Sequence, residues 1–114
     1  MASHIVLLIQ SNPRESHRAC EGIRIALGLA ACNVNVDLIL TACASLLLSQ
    51  DIDECVDGEL AKQYLPSLVK FIPTIYIERE GSEPPLLQND YPVTFLNRDE
   101  ISDKIAAAEC VVRF

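Results

Sequence analysis

The sequence has 114 residues, half of them hydrophobic, which fits one domain with one core and leaves little room for a second. With 16 acidic against 9 basic side chains its formal charge is −7, and no basic stripe appears, so nucleic acid is not expected as a direct ligand. Every apolar run falls short of the ~18 residues that span a bilayer, and residues 1–10 lack the basic start and cleavage site of a secretion signal; a cytoplasmic, membrane-free protein is expected.

Residues 4–10 (HIVLLIQ) form a continuous aliphatic run, the pattern of a parallel strand covered on both faces. Ser11-Asn12-Pro13-Arg14-Glu15 then reads as a helix start. Asn12 is the cap, Pro13 sits where its missing N–H costs nothing, and Glu15 lies three residues after the cap. The helix is expected to reach about Cys32, with Cys20, Ile23, Leu27 and Ala30 on its apolar face and Arg14, Arg18 and Glu21 away from it. Gly22 and Gly28 each cost about 1 kcal/mol inside a helix relative to Ala, which predicts close packing against a sheet.

Residues 35–41 (NVDLILT) read as a second strand, closing a right-handed βαβ unit. Residues 42–45 turn into a short apolar helix near residues 46–49, and the acidic loop 51–57 leads to a helix over 58–71 that Pro66 is expected to kink or divide. A third strand follows at 74–78. Residues 79–92, with Gly81, Pro84, Pro85 and Pro92, read as a loop whose apolar pair, Leu86 and Leu87, packs on a partner subunit or on its own domain. A fourth strand occupies 93–96. Asn97 and Glu100 make a capping signal for a helix with Ile101, Ile105 and Ala108 on one face, and residues 110–114 are the last strand. The alternation predicts a single domain over residues 1–114, a three-layer α/β/α architecture with a mostly parallel five-stranded sheet.

In such sheets, ligands and chemistry sit beyond the carboxyl ends of the strands. Those ends carry Ser11-Asn12, residues 42–45 and residues 78–81, which are expected to share one rim. Cys43 is the candidate reactive residue. A thiol at a helix N-terminus is stabilised as thiolate by the dipole and free N–H groups, which suits it to accept sulfur from a persulfide. The opposing reading makes Cys43 a small buried hydrophobe. Ser11, Asn12, Ala44 and Ser45 are the candidate binding residues around it.

The other thiols look less suited. Cys20, Cys32 and Cys110 are expected in the core, while Cys55, set among Asp51, Asp53, Glu54 and Asp57, is expected to be exposed and a poor nucleophile. No cysteine spacing matches a zinc site, and a reducing compartment argues against disulfides, so no metal is expected. Arg14, His17 and Arg18 either hold an anion or form a solvated helix face. His4, at the far end of its strand, is given no role. No P-loop, dinucleotide fingerprint or Ser-His-Asp arrangement appears, and no cofactor is expected. A flavodoxin-type phosphate loop and a receiver-type acidic cluster are likewise missing from the strand ends.

The blocks HIVLLIQSNP, EGIRIALGLA, VDLILTACASLLL, DGELAKQYL and AECVVRF, in this order, resemble the DsrE/DsrF-like sulfur-relay family, most closely its DsrF (TusC-type) branch. The resemblance covers nearly the whole chain. It implies a five-stranded parallel sheet, homo- or hetero-oligomers with DsrE-like sister subunits, and a part in passing persulfide sulfur between proteins. In the family's transferring subunit a cysteine follows the third strand. Here Ile77, Glu78, Arg79 and Glu80 stand in that region, which fits an accessory or structural subunit. Two alternatives remain: a sulfur carrier or sulfurtransferase using Cys43, and a non-catalytic interaction or small-molecule-binding domain that keeps only the fold.

Overall fold

The computed structural model describes residues 4–79, 87 and 91–114. The aliphatic run after residue 4 becomes strand β1 (His4–Ile9), flanked by β2 (Asn35–Leu40) and β5 (Cys110–Arg113). Strands β3 (Ile75–Glu78) and β4 (Val93–Leu96) extend the sheet beyond β2, giving the order β4-β3-β2-β1-β5 with every pairing parallel.

Three α-helices cover it: α1 (Arg18–Ala31), α2 (Gly58–Leu68) and α3 (Arg98–Ala107). Two 3₁₀ turns, Cys43–Leu48 and Ile52–Glu54, lie between β2 and α2. Side chains alternate along each strand. Leu7, Ile9, Leu38, Leu40, Ile75 and Ile77 join the main core with α1 and α2, while Val6, Leu8 and Ile39 pack on the other side with Ile101 and Ile105 of α3. Burial on both faces is why β1 shows no polar alternation. The three-layer α/β/α arrangement with a five-stranded sheet is the one expected.

Several boundaries differ, for physical reasons. Asn12 caps a turn rather than the helix: its Oδ1 accepts from Arg14 N at 3.0 Å, and its carbonyl accepts from Glu15 N and Ser16 N at 3.1 and 3.2 Å. Helix α1 starts only at Arg18, whose N–H donates to Ser16 Oγ at 3.1 Å. Its end is a Schellman closure. Asn33 adopts φ 64°, its N–H reaches Ala30 O, and Val34 N–H reaches Leu29 O, both at 3.1 Å.

The two α1 glycines divide. A Cβ on Gly22 would lie 2.9 Å from Ile9 Cδ1, so this glycine does admit close packing on the sheet, but a Cβ on Gly28 would meet nothing within 4 Å. Helix α2 passes through Pro66 undivided and gives way to tighter turns after Leu68. Residues 80–86 and 88–90, Leu86 among them, lie outside the described residues. Leu87 is half-buried against the main core and forms an antiparallel bridge with Ser49, so it packs on its own domain. Among the described residues, no helix is long and apolar enough to cross a membrane.

Candidate functional site at the carboxyl rim

The ends of β1 and β2 are joined where Thr41 N donates to Ile9 O at 3.0 Å. The chain then turns, and Cys43 begins the first 3₁₀ turn with its thiol exposed. The buried-hydrophobe reading of Cys43 is therefore not the one the structure shows. Its Sγ lies 3.6 Å from Gln10 O, 4.0 Å from Ser11 O and 3.7 Å from Thr41 Oγ1. The two carbonyls accept from S–H. The Thr41 hydroxyl alone among these neighbours is able to donate to a thiolate.

The four residues expected to surround Cys43 take different parts. Ser11 Oγ is buried without a hydrogen-bond partner among the described residues. Asn12 spends its side chain on its own turn. Ala44 and Ser45 face the core, at 0% and 1% exposure, and Ser45 Oγ donates to Ala42 O at 2.6 Å. Those two brace the turn that presents Cys43 and do not line the rim.

Of the three rim segments, the first two meet, and of the third only residues 78 and 79 are described, where they continue the pairing of β3 with β4. Arg79 N donates to Leu96 O at 2.8 Å, and its guanidinium lies 5.5 Å from the Phe95 ring centroid, toward the β4 edge. Gly81 lies outside the described residues. The switch point of the sheet, between β1 and β5, is filled by the chain itself. Phe114 O accepts from Gln10 N and Ser11 N at 2.7 and 3.2 Å, and the Arg18 guanidinium sits 5.6 Å from the Phe114 ring. At the position where many open α/β sheets bind ligands, the backbone of Phe114 thus continues the β1–β5 pairing, and the exposed thiol of Cys43 lies at the β1–β2 end.

The basic cluster is largely engaged with protein. Arg14 pairs with Glu54 at 3.0 Å and Arg18 donates to Arg113 O at 3.4 Å, while His17 stands exposed at the α1 cap position. All three side chains are exposed, as the solvated-face reading expects, but Arg14 and His17 precede α1 rather than lying in its first turns.

The remaining cysteines reverse three expectations. Cys20 is in the core as expected; it donates to Asp57 O at 3.5 Å, and burial, reinforced by Asp57 and Glu21, pushes its thiol pKa up. Cys55 is buried rather than exposed. Desolvation raises its pKa first, Arg14 opposes, and Glu54 adds to the rise. Cys32 and Cys110 are exposed rather than core, because Cys32 is the cap beyond the last buried turn of α1 and Cys110 opens an edge strand.

One constellation had no place in the sequence reading. At the amino end of the sheet His4 Nε2 lies 2.8 Å from Asp37 Oδ2, Lys104 Nζ lies 3.6 Å from the same oxygen, and Lys104 sits 4.3 Å from the Tyr76 ring centroid. The available signal was Asp37 itself. A carboxylate inside an aliphatic strand requires a partner.

The fold and this rim define an α/β/α domain with a wholly parallel five-stranded sheet, carrying an exposed thiol where β1 and β2 end. Among solved structures, the chain is similar to the crystal structure of the ychN protein from E. coli, with a TM-score of 0.74, 20% sequence identity and coverage of 100% of both chains. That likeness extends to the fold. No protein-family model matches the sequence, and no curated protein sequence matches it.

Proposed function

We propose that the chain is an accessory, structural subunit of a cytoplasmic persulfide sulfur-relay complex of the DsrF/TusC-like kind. It assembles with copies of itself or with DsrE-like sister subunits. The observation that carries this reading is the end of β3. Where the resembled family's transferring subunit presents its cysteine, this chain has Glu78 and an Arg79 folded onto Phe95, and no cysteine occurs between Cys55 and Cys110. Exposed apolar side chains at Val56, Leu60 and Phe71 are in keeping with protein contacts.

The exposure of Cys43 favours a second reading, that of sulfur carrier. In that chemistry the Cys43 thiolate attacks the outer sulfur of a donor persulfide, the donor S–S bond breaks, and the donor leaves as its thiolate. The product is a Cys43 persulfide. Incubation with a cysteine desulfurase and labelled cysteine, followed by intact mass, separates the two. The accessory subunit gains no sulfur under conditions that load a carrier protein. One added sulfur that is lost in Cys43→Ser replaces the accessory reading with the carrier reading.

A further inference from the structure

We propose that α3 is a flap that opens independently of the rest of the fold, latched to the sheet through Asp37. This device stands apart from any sulfur chemistry. It rests on how unevenly the two faces of the sheet are covered. Helix α1 buries six residues and α2 four, against the main core, whereas α3 buries only Ile101. Beneath α3 lies a separate, smaller cluster. Val6, Leu8, Ile39 and Leu96 are buried there, with Ile101, Ile105 and Ala108 as the apolar cover from the α3 side.

Local opening sets the apolar burial given up against the chain entropy released. The burial given up when this ten-residue helix opens is that of Ile101 and of the five-residue cluster it belongs to, far smaller than the cluster under α1 and α2, against the entropy its ten residues release. Its capping box, Asn97 Oδ1 with Glu100 N at 2.8 Å and Glu100 Oε1 with Asn97 N at 3.1 Å, is internal and does not tie it to the sheet.

The latch is electrostatic. On β2, residues Val36, Leu38 and Leu40 face α1 and α2, so Asp37 points to the α3 side, where it is only 19% exposed. His4 holds the carboxylate from β1, and Lys104 reaches it from α3 while lying across the Tyr76 ring of β3. Glu109 N donates to His4 O at 2.9 Å, which ties the segment after α3 to the same corner. Loss of the Lys104 pair weakens the hold on α3, which then rests on Ile101, Ile105 and Ala108, while β1, β2 and β3 keep their pairing. Opening then presents an apolar sheet face, Val6, Leu8 and Ile39, beside the Asp37 carboxylate.

Amide hydrogen exchange along a denaturant series tests this. In the wild type, the amides of residues 98–107 should exchange through an opening that depends little on denaturant, while α1 exchanges only with global unfolding. Lys104→Met keeps the stem on Tyr76 and removes the charge. It should speed α3 exchange roughly three- to tenfold and leave α1 unchanged, the range expected from losing one partly exposed ion pair and its cation–π contact. Asp37→Asn, which keeps shape and drops the charge, should do the same. Equal exchange of α3 and α1 with the same denaturant dependence overturns the proposal, as does unaltered α3 exchange in Lys104→Met.

Discussion

Two alanines placed in one helix should move stability in opposite directions. Gly28→Ala adds a methyl where nothing lies within 4 Å, so it collects the helix-propensity gain of up to about 1 kcal/mol without a steric penalty. Gly22→Ala collects the same gain. However, its methyl lands 2.9 Å from both Cδ1 and Cγ1 of Ile9 and 3.3 Å from Phe114 Cβ, and Ile9 is fully buried and unable to swing outward. Overpacking of this kind costs about 1–3 kcal/mol, which leaves a net loss of up to about 2 kcal/mol. The two variants should therefore differ by roughly 1–3 kcal/mol. Urea unfolding measures this directly, with the midpoint rising for Gly28→Ala, falling for Gly22→Ala, and the slope unchanged in both. In a thermal scan, each kcal/mol appears as a shift of about 4 °C. A Gly22→Ala protein as stable as Gly28→Ala would mean that α1 does not lie against Ile9 and Phe114 as described.

Asn97→Ala removes one half of the α3 capping box and should cost about 1 kcal/mol, read by the same urea titration, with Asn97→Ser restoring most of it. Native-state alkylation should label Cys43, Cys32 and Cys110 and spare Cys20 and Cys55 until the protein unfolds, as peptide mapping will show. Because burial raises the pKa values of Cys20 and Cys55, the folded state holds their protons longer than the unfolded chain does. Their contribution is fully present below the unfolded thiol pKa of about 8.5 and is lost as pH climbs through the higher folded values. Cys20→Ala should accordingly flatten the alkaline limb of a stability–pH curve; an unchanged limb would contradict that account.

The strands were legible because a sheet covered on both faces demands mostly apolar runs, and HIVLLI and VDLIL supply them with His4 and Asp37 as their polar members. The α3 capping box was equally plain, since its two side chains act within four residues. The start of helix α1 was not, because Asn12, Pro13 and Glu15 satisfy a capping pattern that a local turn uses just as well.

What stayed hidden depends on neighbours far along the chain. Whether Cys110 is covered follows from β5 lying at a sheet edge, and strand order is not written in any local pattern. Cys55 is buried because its loop folds back against the turn after β1, where Val56 N donates to Pro13 O at 2.8 Å. Similarly, Ala44 and Ser45 stand near Cys43 in sequence but turn inward, since the 3₁₀ turn packs its apolar side on the main core. The partners of Asp37 come from residues 33 and 67 positions away, His4 and Lys104.

The functional account stands or falls on assembly. Purification from the native host through a tag on this chain, with light scattering and mass spectrometry of the eluted species, tests it most directly. The account predicts a stable oligomer, of copies of this chain or with DsrE-like sister subunits, in which this chain holds no persulfide. A monomer that elutes alone and carries sulfur on Cys43 would contradict it.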